Sequence, residues 1–277
     1  MLSLLALASS AVWGTSDFFG GLVAKRLPAI AVVGVTQGLA FVLLSTIVLV
    51  RLGLGHPPEW GAWLGWAMLA GTAGASGLVA FYTALASGTM GVVAPIASMG
   101  VVVPVVLGVA SGETPTPWVW LGILVAVVGI VLASGPELSG AVSPRPVLLA
   151  GVAAVCFGTA LFSLDRAARE SLLMALWGMR ATSVTMFVIA ALLLRSVGGT
   201  SRRDLPQLAL IGFADLLANA LFATASSRGQ VSIAAVLGSL YPVATILLAR
   251  LVLGERLRRI QQVGVLCALA GAAVISL

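Results

Sequence analysis

The chain has 277 residues, of which 60% are hydrophobic and 9% charged, with a mean hydropathy of +1.13; that much apolar surface cannot be hidden inside a soluble domain, so a soluble enzyme or binding module is excluded. The net charge of +6 does not indicate nucleic acid, because the basic residues fall at the ends of apolar runs, without a basic stripe or interleaved aromatics. Cys156 and Cys267 lie inside apolar runs without metal-ligand spacing, and the only histidine, His56, sits in a Pro-Pro loop, so no metal, no cofactor and no histidine proton relay is expected.

Apolar runs of about 18 to 25 residues, each able to cross about 30 Å of hydrocarbon, are predicted near 2–23, 29–50, 61–86, 90–110, 117–134, 147–164, 172–194, 205–226, 231–252 and 260–277. The expected fold is therefore an all-α polytopic membrane protein of ten transmembrane helices. The first span carries Trp13 and Asp17; Met1-Leu2-Ser3 offers no basic leader, so the span is expected to be retained. The second carries Gln37, and the His56-Pro57-Pro58 turn precedes a third span that ends on Phe81-Tyr82. Trp60, Trp63, Trp66, Trp118 and Trp120 lie near span ends and are expected in the interfacial belt. The fourth span contains Pro95, Gly100 and Pro104, and the fifth starts after Pro115-Thr116-Pro117. A polar link near 135–146 is the only candidate boundary, after which the sixth span is expected to end before Arg166 and Arg169. Arg180 falls in the seventh span, Asp215 and Asn219 in the eighth, and Tyr241 and Pro242 in the ninth.

One pattern recurs without gaps 142 positions apart: Gly112-Glu113, Gly122, Leu124, Ala126 and Gly129 against Gly254-Glu255, Gly264, Leu266, Ala268 and Gly271. The chain thus reads as two copies, 1–136 and 145–277, packed as one transmembrane unit. Five spans per copy is an odd number, so the second copy enters the bilayer upside down, the arrangement used for alternating access. An even total puts both termini on one side. Arg51, Arg166, Arg169 and Arg228 share that side; Lys25, Arg26, Arg145, Arg195, Arg202, Arg203, Arg250, Arg256, Arg258 and Arg259 lie opposite. The positive-inside rule then favours termini outside the cytoplasm.

Further pairs accompany the repeat. Trp13-Gly14-Thr15 matches Phe157-Gly158-Thr159, and Phe81-Tyr82-Thr83-Ala84-Leu85 with Gly88 and Val92-Val93-Ala94-Pro95 matches Phe222 through Arg228-Gly229 and Ile233-Ala234-Ala235. The second set continues through Ser239-Leu240-Tyr241-Pro242 to Leu253-Gly254-Glu255-Arg256-Leu257. Across essentially its whole length the chain resembles the drug/metabolite transporter superfamily, in its ten-span EamA-type branch. The resemblance implies a pseudo-twofold bundle around a central cavity in the cytoplasmic membrane. It further implies a secondary carrier, with efflux the expected direction, for a small organic solute such as an amino acid, another metabolite or a cationic drug. It implies termini in the cytoplasm, against the arginine distribution; the family arrangement takes precedence because the charge rule can be overridden during assembly. Gly100 stands where the ninth span has Pro242, so the fourth span is expected to break at a different place.

A charge at the centre of a membrane helix costs about 2.5 to 3.5 kcal/mol on insertion scales, so each deep polar residue needs a partner or a task. Arg180 and Asp215 lie on antiparallel spans at depths differing by about 5 Å, within side-chain reach. They read either as an ion pair fixing two helices or as an arginine fork for a substrate carboxylate or phosphate, held by Asp215. Asn219 extends the face of Asp215. Asp17 reads either as a proton site or cation anchor gripping solute together with Trp13, or as a span-end carboxylate bonded to backbone, Lys25 or Arg26. Tyr82 and Tyr241 can donate into an apolar pocket, and Gln37 is placed for helix–helix bonding or substrate contact. Pro95, Gly100, Pro104 and Pro242 are gate candidates. The Gly-Glu pairs read as turns and caps, and the small residues of spans five and ten as close-packing ridges. Small solute and membrane lipids are the expected partners; monomer and homodimer both remain open. A channel or lipid-translocating protein is the alternative, and a membrane-embedded enzyme is disfavoured because no reactive cluster is present.

Overall fold

The structure, a computed structural model, describes all residues except 59, 89, 135–143, 196–198, 254–258 and 277. Its helices are α1 (Leu2–Ala24), α2 (Ala29–Gly53), α3 (Trp63–Ser87), α4 (Met90–Ser98), α5 (Val102–Ala110), α6 (Pro117–Ser134), α7 (Pro144–Glu170), α8 (Leu172–Leu194), α9 (Leu205–Ser227), α10 (Val231–Gly238), α11 (Tyr241–Leu253) and α12 (Arg259–Ser276). No strand occurs among the described residues. Counting α10 and α11 as one run, seven helical segments among the described residues are long and apolar enough to cross a membrane, and Ile96–Ala110 and Pro117–Gly129 are shorter apolar helices. Hydrocarbon offers no partners to backbone amides, so the helix is the form in which such segments can span it. The outer faces bear this out: Leu192, Leu193 and Leu251 are 71 to 79% exposed, which only lipid can accommodate. Polar residues facing outward satisfy themselves, as Thr46, Thr72 and Thr185 donate to the carbonyls of Val42, Met68 and Ala181.

Two expected spans are not continuous helices. The run 90–110 divides into α4 and α5 around a 3₁₀ turn at Met99–Val101, and 231–252 divides between α10 and α11 at Ser239–Leu240. The breaks do not fall on the prolines. Pro104 and Pro242 occupy the first turn of α5 and α11, where a missing N–H costs no helical bond, while Pro95 lies within α4. A second correction concerns α7, which continues to Glu170 and so places Arg166 and Arg169 on the helix. Asp165, fully buried, is gripped by Arg169 one turn on, at 3.0 and 3.3 Å, and Arg169 also donates to the carbonyls of Ser226 in the last turn of α9 and Gly229 just beyond it.

Packing is reciprocal between the first and second halves of the chain. α3 packs on α7 and α1 on α9; α2 meets α8, and α6 meets α12. Small residues make these approaches possible. A Cβ on Gly14 of α1 would overlap the Tyr241 carbonyl at the head of α11, and one on Gly158 of α7 would overlap the Gly100 carbonyl in the other break. Each half thus presses the glycine of its first helix into the broken helix of the other. The expected ridge recurs at Gly271, whose Cβ would strike the backbone of Gly122 and Ala126. Glu113, after the turn at Gly112 (φ +98°), accepts the Val231 and Ser232 amides at 2.6 and 3.1 Å, so it caps α10 across the halves. Its sequence counterpart Gly254-Glu255 lies outside the described residues, as does most of the link 135–146.

Candidate functional site

Both breaks face the middle of the bundle. Beside them lies a cavity enclosing about 660 Å³ of empty space including its mouth, lined chiefly by apolar atoms. Its polar lining comes from five helices and one break: Trp13 and Asp17 (α1), Ser98 (α4), Arg180 (α8), Asp215 and Asn219 (α9), Tyr241 (α11) and Ser239 in the α10–α11 break. A site of this kind arises because an interrupted helix frees backbone groups that a protein-lined cavity can accommodate.

Arg180 is the anchor. It is 1% exposed; one terminal nitrogen donates to Gln37 Oε1 at 2.5 Å and the other to Asp215 Oδ2 at 2.7 Å. Its Nε has no partner among the described residues. Asp215 also accepts, on Oδ1, from the Trp13 indole and the Asn219 amide, each at 3.2 Å. Asn219 donates to the Asp215 backbone carbonyl as well, at 2.7 Å. Four helices, α1, α2, α8 and α9, are therefore tied through one buried pair, in which each charge is met by several hydrogen bonds.

Asp17 stands apart from that cluster. It is buried, reaches the cavity, and among the described residues has one side-chain partner, the Tyr82 hydroxyl donating at 3.4 Å. The span-end reading of Asp17 is corrected: Arg26 turns away to Asp204 at 2.5 Å and to Gln207 at 2.8 Å, and Asp17 forms no ion pair among the described residues. Trp13 and Asp17 both line the cavity, but the Trp13 indole N–H is engaged by Asp215 and its ring packs 5.7 Å from Phe222. The cavity thus holds two carboxylates and one guanidinium, with a single carboxylate left uncompensated.

Of the expected residues, Trp13, Asp17, Gly100, Arg180, Asp215, Asn219 and Tyr241 line the cavity, whereas Gln37 and Tyr82 stand behind it, orienting Arg180 and Asp17. The Tyr241 hydroxyl donates to the Ala94 carbonyl at 3.3 Å, which ties the two broken helices together. Its ring joins those of Phe81 and Phe157, at 6.1 and 5.5 Å from Phe81, in an aromatic layer beside the cavity. Pro104 and Pro242 do not line the cavity. Sequence reasoning missed Ser98, for which an apolar run offered no warning beyond its place two residues before Gly100. Trp63, expected in the belt, is 2% exposed and packs against Gly178, whereas Trp60 and Trp118 are about 70% exposed.

These features define a polytopic helical membrane protein with a polar cluster buried at the centre of an interleaved bundle. The model of the EamA-like transporter family matches residues 1–135 and 144–277. The chain belongs to that family. A solved crystal structure, titled only as that of a protein, is similar over 100% of this chain and 98% of its own, with a TM-score of 0.79 at 17% sequence identity, a likeness of fold alone. No curated protein sequence matches the chain.

Proposed function

We propose that this protein is a secondary carrier that moves a small organic solute across the cytoplasmic membrane by alternating access, with its two halves, 1–136 and 145–277, acting as inverted five-helix repeats. The observation that carries this reading is the cavity itself, set where two broken helices meet a buried Arg180–Asp215 cluster drawn from both halves. Discontinuous helices at a repeat interface are the usual setting of a carrier's site. The cavity is mainly apolar with a few convergent polar groups, which suits a small amphipathic solute. Within it Asp17, the uncompensated carboxylate, serves a proton or the amino group of the solute, whichever occupies the site, and exchange between them couples efflux to the proton gradient. Ser98, Asn219, Ser239 and Tyr241 supply neutral donors and acceptors around it.

Reconstitution into proteoliposomes tests this. Saturable uptake of a labelled amine or amino acid, accelerated by unlabelled solute on the far side, is the expected result, and Asp17→Asn should flatten its pH dependence while leaving the protein folded. Flux that rises linearly without saturation, or pH dependence unaltered in Asp17→Asn, would overturn the carrier or the coupling assignment respectively.

A further inference from the structure

A second cavity lies away from the first, at the end of the bundle where α2 meets α3 and α7 meets α8. It encloses about 820 Å³ of empty space, open to the outside, and its wall is more polar than that of the central cavity. Arg51 from the last turn of α2, His56, Trp60, Trp63, Glu170 at the end of α7 and Ser171 at the head of α8 line it. None of these residues belongs to the central cluster.

Its charges are arranged unusually. Arg51 and Glu170 face the same space but do not meet, for the described residues form only three ion pairs and neither residue is in one. Glu170 is held in place by one oxygen, Oε2, which accepts the Trp63 backbone amide at 2.9 Å. Its Oε1 has no donor among the described residues. Trp60 lies exposed over the site, its ring stacked 5.8 Å from that of Trp63 at an interplanar angle of 21°. Oppositely charged groups separated across one open cavity leave room for a ligand that carries both charges.

We propose that this cavity binds a zwitterionic ammonium-phosphate group, and that the ligand is the headgroup of an ethanolamine phospholipid. Arg51, with His56 beside it, receives the phosphate, since a guanidinium binds phosphate oxygens with charge-assisted hydrogen bonds. The primary ammonium donates to the free oxygen of Glu170 and lies against the Trp60 ring, whose π face attracts a cation. A primary ammonium meets Glu170 Oε1 with N–H donors, which a trimethylammonium lacks; this favours ethanolamine over choline. A lipid rather than a free solute is favoured by position. The site is at the ends of apolar spans, at the depth where tryptophan anchors gather, and the neighbouring outer face of α2 exposes Leu49, Val50 and Leu52 for acyl chains.

The test is native mass spectrometry of the full-length protein in detergent with equimolar ethanolamine, choline and glycerol phospholipids, on wild type, Arg51→Gln and Glu170→Gln. Thermal unfolding checks that each variant is folded. Arg51 bears no structural bond through its side chain among the described residues, so Arg51→Gln keeps the proposal testable if loss of the Trp63 contact unfolds the Glu170 variant. The expected result is preferential retention of the ethanolamine lipid, weakened about tenfold in each folded variant, the scale of one charge-assisted hydrogen bond. Equal retention of all three lipids, or unchanged retention in folded Arg51→Gln, would overturn the site. Displacement of the lipid by an equal concentration of soluble phosphoethanolamine would overturn the assignment to lipid and leave a site for a free zwitterion.

Discussion

Asp215→Asn offers the sharpest probe of the central cluster. In the native protein Arg180 is 1% exposed, and the Asp215 side chain, at 11%, is its only anionic partner among the described residues. Asparagine preserves the shape and the acceptor for the Trp13 indole but removes the charge, leaving a guanidinium stranded with Gln37. Stripping a buried ion of its partner costs about 3–5 kcal/mol. On the scale of about 2–4 °C per kcal/mol for domains of comparable length, this lowers the Tm by about 6–20 °C. Arg180→Gln is expected to cost less, about 2–3 kcal/mol, because Asp215 keeps the donors of Trp13 and Asn219. The double variant carries neither charge and should lose only about 1–2 kcal/mol, so it is more stable than Asp215→Asn alone. Thermal denaturation of the four proteins in one detergent measures the cycle. A Tm of Asp215→Asn within about 2 °C of wild type, or a double variant whose loss equals the sum of the singles, would refute the description of the pair as buried and mutually dependent.

Gly14→Ala should destabilise by about 1–3 kcal/mol, because its Cβ meets the Tyr241 carbonyl and, at 2.7 Å, the Ala244 Cβ, whereas Gly38→Ala, which meets nothing within 4 Å, should be neutral in the same melt. Glu113→Gln should cost about 1 kcal/mol as the capped amides lose a charged acceptor, read as faster hydrogen exchange at Val231 and Ser232; unchanged exchange would show that the cap is dispensable. Asp204, outside the spans, has its pKa lowered to about 2, first by the Ser201 backbone amide and then by the Arg26 guanidinium and the Ser201 hydroxyl. A depressed carboxyl contributes stability that is complete above its ordinary pKa of about 4 and is lost as pH falls towards 2. Asp204→Asn should therefore remove that acid-labile component, and equal loss in wild type and variant between pH 4 and 2 would contradict it.

Much of the architecture is legible in the residues alone. Long apolar runs leave the backbone no choice but helix, and the bounds read from them for α6 and α8 agree with the structure at both ends. The few deep polar residues are conspicuous because hydrocarbon penalises them, and Arg180, Asp215, Asn219 and Asp17 all reach one cavity. The paired Trp13-Gly14 and Phe157-Gly158 motifs carry the reciprocal contacts of the first helix of each half with the opposite break. What a one-dimensional pattern could not supply was the partner of each group. Trp13 shares a helical face with Asp17 yet bonds to Asp215, and Arg26, near Asp17 in the chain, instead meets Asp204. Likewise Arg166 and Arg169 looked like loop residues until α7 ran on to Glu170, and Trp63 looked interfacial until α8 offered Gly178 as a seat. Hydropathy reports the cost of leaving water, which depends on each side chain alone and so can be read along the chain. Hydrogen bonds and close packing depend on the distance and direction between groups as far as 231 positions apart, and those are set only when the helices of the two halves interleave.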